Sequence, residues 1–189
     1  MPEKYFAKKT FKNLVSAENT RGLEFEDCTF ESCDFPSAAF LGYSYTSCTF
    51  SNCNLSLLKL SGSKLNDVKF IGCKLTGISF ADCNDFLFSV SFEECLMSYC
   101  TFAGKRMAGT KFNNCQLTEA DFANCDLSKS IFSGCDLSGA QFDRTDLQEA
   151  DFRTADNFSI DPEKNKVRKA KFSIAGASRL LEKFKLDIS

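Results

Sequence analysis

From Leu127 through Phe132, Leu137, Phe142 and Leu147 to Phe152, a large apolar residue returns at every fifth position, with a small residue two places before each. A period of five suits neither regular element, because a helix needs about 3.6 residues and a strand 2 to keep one face buried. The chain must therefore bend once per unit. Units that each bend and bury two side chains stack into a solenoid, whose coils hide one another's apolar interior.

In steps of five the pattern runs back from Phe152 to Phe92 and, in a second phase, from Phe80 to Phe25. A two-residue insertion within 81–91 separates the phases, and Leu87 is the residue that best bridges them. Every fourth unit carries the same residue. Phe30, Phe50, Phe70, Phe92, Phe112, Phe132 and Phe152 form one such series, and Cys33, Cys53, Cys73, Cys95, Cys115 and Cys135 form another at the small position of the next unit. Their spacing is twenty residues, or twenty-two across the insertion, so four units make one square coil and each side stacks its own core ladder. Six and a half coils at one strand spacing each predict a rod of roughly 31 Å.

Residues 1–24 fit the repeat poorly and are expected to cap the first coil through Phe6, Phe11, Leu14 and Leu23. The solenoid proper is placed at 25–152, with its irregularity at 81–91. There the small positions are read as Tyr43, Ser63, Asp85 and Lys105. Burying an ion pair seldom stabilises, so the chain is expected to bulge and bring both Asp85 and Lys105 to water, the alternative being a binding notch. After Phe152 the rhythm stops. Residues 153–189 contain a turn at Asp161-Pro162, a short strand expected at Val167 to Phe172, and a helix capped by Ser173. Leu180, Leu181, Phe184, Leu186 and Ile188 exceed what is needed to cover one small coil end, which points to a two-fold homodimer contact through this module.

The units CDLSK, CDLSG, TDLQE and ADFRT match the A(D/N)LXX consensus, and on this ground the chain resembles the pentapeptide-repeat family. The resemblance covers Leu23 to Ala155 and implies an all-β, right-handed quadrilateral β-helix. The tail, with FSIDPEKNKVRKAKFS ahead of LLEKF, is similar to that of a subgroup containing quinolone-, microcin- and albicidin-resistance proteins. That likeness implies a homodimer that imitates duplex DNA, binds DNA gyrase or topoisomerase IV and protects the enzyme from poisons.

Charge agrees with this in part. From Phe25 to Phe152 there are seventeen acidic and nine basic residues, a net of minus eight. Duplex DNA carries about eighteen charges over ~31 Å. Between Gln116 and Phe152 eight acids face Lys129 and Arg144, a net of minus six over just under two coils, or ~9 Å, where DNA carries about five. Asp121, Asp126, Asp136, Asp146 and Asp151 stand directly before a central residue, where an aspartate also hydrogen-bonds the turn. Glu119, Asp143 and Glu149 lie off that position. The candidate partner-binding set is Glu119, Asp121, Asp126, Asp143, Asp146 and Glu149.

Catalysis is not expected. With no histidine there is no Ser-His or Cys-His pair, and no phosphate-binding glycine loop occurs. The cysteines stand in a column instead of converging on one point as zinc requires, so they read as small core residues, and no cofactor or metal is implied. No apolar run suits a membrane span and no signal peptide is seen, so a cytoplasmic protein is expected, with a protein partner and no direct nucleic-acid or membrane binding. The other reading is a structural scaffold for an unrelated partner.

Overall fold

Small residues at one inward position and large ones two places later leave three outward residues per unit, and that pattern builds each side of the coil. The computed structural model describes residues 5–15, 23–181 and 184–185, and these form a β-solenoid of square coils with a short C-terminal helix. All strand pairs are parallel and in register, with Phe112 beside Phe132 and Tyr45 beside Leu65. The first face, carrying the phenylalanines, is a seven-stranded sheet from Thr10–Lys12 to Ile131–Ser133. The fourth face begins as a four-stranded sheet from Tyr5–Ala7 to Lys64–Asn66 and continues as single bridges between Arg106, Asp126, Asp146 and Lys166.

Nine phenylalanines, from Phe11 to Phe172, stack nearly flat in one column, with neighbouring centroids 4.6–5.4 Å apart. Rings of the third face meet them edge-on, as Phe122 does Phe112 at 5.8 Å and 82°. This alternation of offset stacks and T-shaped contacts is favourable for aromatic quadrupoles. Eight coil steps give a column of about 38 Å.

The corners explain the small residues. At most, the N–H of the next inward residue donates to the preceding central carbonyl, as Ala120 does to Leu117 at 3.0 Å, around Glu119 at φ 56°. At several corners a side chain from the following coil bridges the turn instead. The Cys33 N–H donates to Cys53 Sγ, which donates to the Phe30 carbonyl, both at 3.4 Å. Asn165 bridges Thr145 N–H and the Phe142 carbonyl, both at 2.9 Å, and Ser63 bridges Tyr43 and Phe40. The buried thiols thus satisfy backbone groups that water cannot reach.

At the insertion the structure corrects the sequence reading. Cys83, not Asp85, fills the small position above Lys105, and it is buried. Leu87 does not bridge the phases: it is 59 % exposed at φ 55°, and Phe88 packs against the core in its place. Asp85, Phe86 and Leu87 bulge out between Asn84, which keeps its bond to the Ser63 carbonyl, and Ser89, which keeps its bond to Leu65. Nor does Lys105 reach water. It is 2 % exposed, and its Nζ donates to the Cys83 carbonyl and Asp85 Oδ1, each at 2.5 Å, beside the Phe88 ring at 5.2 Å. Two acceptors and an aromatic face replace the ammonium's hydration, and the stem fills core space.

Both ends of the rod extend beyond 25–152. Phe6 and Phe11 stack on Phe25 and Phe30 within paired strands. At the other end Lys166 and Lys171 pair with Asp146 and Asp151, and Phe172 stacks on Phe152 at 5.4 Å, so one further coil follows Phe152. No continuous strand forms at 167–172, where the chain makes a single bridge at Lys171 instead. Ser173 caps the helix Ile174–Arg179 by accepting from the Gly176 N–H at 3.0 Å. A Cβ at Gly176 would lie 3.0 Å from the Phe158 ring, which sets how closely this helix covers the last coil.

Candidate partner-binding surface

Register fixes where each outward residue sits. Glu119 and Asp121 flank the corner between the second face, which carries the cysteine ladder, and the third, which carries Phe102 and Phe122. Asp126, Asp143 and Asp146 gather at the next corner, and Glu149 lies at the one after that. The six candidates therefore wrap around the rod over two coils instead of forming a single patch.

The aspartates before a central residue hold the turns. Asp121, Asp126, Asp136, Asp146 and Asp151 each accept the N–H two residues on, at 2.9–3.1 Å. Ser138 and Asn157 add hydrogen bonds that hold the Asp136 carboxyl below the usual range. Glu119 and Glu149 sit at left-handed corner positions, φ 56° and 61°. The Glu119 carboxylate lies over Gly139, where a Cβ would be 2.5 Å from Oε1.

The last coil sets basic residues against part of this acid, a pairing that the sequence analysis missed by ending the register at Phe152. Lys166 lies 3.3 Å from Asp146, and Arg153 grips Asp151 at 2.7 Å. Glu149 and Asp151 share a shallow groove with Lys129, Ile131, Lys169 and Lys171. Asp143 pairs with Arg144 at 2.9 Å. Among the described residues Glu119, Asp121 and Asp126 form no ion pair, although Arg106 is Asp126's backbone neighbour. They are the least compensated acids of the set.

At the C-terminal end Leu180 packs against the core, whereas Leu181 and Phe184 are exposed, and Ile174 is 95 % exposed. Leu186 and Ile188 lie outside the described residues. All eleven cysteines are buried and unbridged. Burial pushes the Cys100 and Cys125 thiols up to about 12, so these two stay protonated at neutral pH. Among the described residues no helix is long and apolar enough to cross a membrane.

The twenty-residue register and its inward ladders agree with a profile of the pentapeptide repeat region, which matches residues 23–102, 86–152 and 105–174. The chain belongs to the pentapeptide-repeat family. Its fold is similar to that of QnrB1, a plasmid-mediated fluoroquinolone resistance protein. A trypsin-treated form of QnrB1 superposes with a TM-score of 0.66 at 16 % identity, over 98 % of this chain and 100 % of that one. The full-length form gives 0.52 at 18 % identity, over 96 % and 100 %. No curated protein sequence matches this pentapeptide-repeat chain.

Proposed function

We propose that this pentapeptide-repeat protein is a non-catalytic DNA mimic that binds DNA gyrase or topoisomerase IV and protects it from inhibitors. The observation that carries the reading is the acid density of 116–152, a net of minus six over a length on which duplex DNA carries about five charges. A rigid rod presents that charge without ordering cost, which favours binding. The likeness to the fold of a fluoroquinolone resistance protein supports it. Glu119, Asp121 and Asp126 are the leading contacts, because among the described residues they form no ion pair, whereas Asp143 and Asp146 do and Glu149 shares its groove with Lys129, Lys169 and Lys171.

The apolar end formed by Ile174, Leu181 and Phe184 joins two copies tail to tail in this reading. The basic last coils then meet at the centre, and the acidic coils face outward on both arms. A supercoiling assay with purified gyrase, with and without a gyrase poison, tests the function. The expected result is protection from the poison, or inhibition at higher protein concentration, that is lost in Glu119→Gln/Asp121→Asn/Asp126→Asn. A folded wild-type protein without effect at any concentration overturns it.

A further inference from the structure

The second face carries apolar side chains in places where the fold itself disfavours them. Among the described residues twenty-one non-glycine residues have positive φ, nearly all polar, and only Leu57, Leu87 and Tyr99 are large and apolar. That backbone region is costly for a bulky residue, and an exposed apolar side chain gains nothing from burial. Leu87 belongs to the bulge on the opposite face. Leu57 and Tyr99, 58 % and 65 % exposed, share one corner column.

The column is continuous. Leu57, Gly77, Tyr99 and Glu119 each donate their N–H to the next coil, to Thr76, Ser98, Thr118 and Ser138 at 2.8–2.9 Å. A Cβ at Gly77 would lie 2.6 Å from Leu57 Cδ2, so this glycine makes the space in which Leu57 lies along the column toward Tyr99. Leu96, also exposed, stands three residues before Tyr99 on the same face. Acids border the strip, with Glu94 on one side and Glu119 and Asp121 beyond Tyr99. Lys74, the bridge partner of Leu96, and Lys59, two residues after Leu57, are the opposing charges.

We infer that this strip docks an amphipathic helix of a protein partner, with apolar residues on one face and lysine or arginine at the end that reaches Glu119. Spacing selects the helix. Leu57 and Tyr99 are two coils apart, about 9.6 Å. Same-face residues of a strand recur at about 6.8 or 13.6 Å, whereas helix positions i and i+7 recur at about 10.5 Å. Glu119 lies about 14 Å from Leu57, within reach of a basic residue about ten or eleven positions along the same helix face.

This surface does not depend on topoisomerase binding, and its test contains no topoisomerase. The probe is a fluorescent amphipathic peptide of about eighteen residues, built from Leu and Lys at helical spacing. A matched peptide with Glu in place of Lys is the control. Leu57→Asn/Tyr99→Asn removes the two corner residues of the apolar strip and puts in their place residues that tolerate positive φ, so its unfolding midpoint stays level or rises. Binding to the Leu/Lys peptide is expected to weaken at least about tenfold in that variant, and also in Glu119→Gln/Asp121→Asn. The wild-type protein is expected to bind the Glu peptide at least about tenfold more weakly. Equal affinity of the wild type and Leu57→Asn/Tyr99→Asn overturns the inference, as does a change in sedimentation mass of that variant, which would make the strip a contact between copies of this chain.

Discussion

Lys105 Nζ lies 2.5 Å from Asp85 Oδ1, yet the lysine is buried and the Asp85 side chain is 84 % exposed. The pair pins the bulge to the coil beneath it, and its asymmetry makes the two halves unequal. Lys105→Met removes a buried charge and keeps the stem, leaving Asp85 hydrated but the Cys83 carbonyl unpaired, and these opposing effects are expected to keep stability within ~1 kcal/mol of wild type. Asp85→Asn leaves the ammonium buried with the Cys83 carbonyl and is expected to cost about 1 to 2 kcal/mol, less than a fully buried pair because Asp85 is exposed. Urea unfolding of both variants checks this, and a greater loss for Lys105→Met than for Asp85→Asn contradicts it.

Phe112 is fully buried between Phe92 and Phe132, with ring centroids at 5.2 and 4.8 Å. A rigid stack on both sides cannot collapse into the space left by a missing ring. Phe112→Ala is therefore expected to destabilise by about 3 to 5 kcal/mol in equilibrium unfolding. A loss below about 1 kcal/mol would count against a close-packed ladder.

Asn165 performs a backbone function with its side chain. Asn165→Leu keeps the branched shape but strands the Thr145 N–H and the Phe142 carbonyl in the interior. The expected cost is about 2 to 4 kcal/mol, since each unsatisfied buried group carries about 1 to 3. Hydrogen exchange gives a local reading: the Thr145 amide should exchange faster, while the Phe112 amide, two coils away, shifts only with global stability. An unchanged Thr145 rate would show that the bridge is not made.

The carboxyls of Asp136 and Asp151 titrate below their ordinary range, the first through Ser138 and Asn157, the second through Arg153. A depressed folded value means that the contribution is complete above the unfolded value near 4 and disappears as pH falls through the folded one. Denaturation midpoints are expected to hold from pH 7 to about 5 and to fall toward pH 2. Asp136→Asn/Asp151→Asn should be less stable at neutral pH and show a shallower acid slope, and parallel curves would assign the acid sensitivity elsewhere.

The square coil, the phenylalanine column and the inward cysteines were legible because one residue identity recurring every twenty positions reports one location. The insertion was harder to read. Phe86, Leu87 and Phe88 are three adjacent large apolar residues, and a five-step count picks the middle one, whereas the twenty-residue step from Ser63 to Cys83, followed by twenty-two residues to Lys105, identifies the true column. Lys105 looked misplaced because residue type alone does not reveal the carbonyl and carboxylate waiting for its ammonium. Likewise the acids before each central residue were recognisable as turn formers, but their basic neighbours were not, because Lys166 and Lys171 fall beyond the point where the five-residue rhythm lapses. Continuing the twenty-residue step from Asp146 and Asp151 would have found both.

The C-terminal end offers the remaining test. Gly176 seats the helix against Phe158 and Leu180 packs on the core, so capping uses that side of the module, while Ile174 at the start of the helix and Leu181 and Phe184 in the turns that follow Arg179 stay exposed. A homodimer through this end buries their exposed surface, because a two-fold contact presents the same apolar patch from both copies. Leu181→Ser/Phe184→Ser removes apolar surface without touching Gly176 or Leu180, so the cap is expected to persist with the unfolding midpoint of the separated chains little changed. Sedimentation equilibrium should then show a dimeric wild type and a variant whose dissociation constant rises at least about a hundredfold, the loss of roughly 3 kcal/mol from two large side chains on each copy. An unchanged mass in the variant excludes this face as the contact, and a monomeric wild type excludes the dimer.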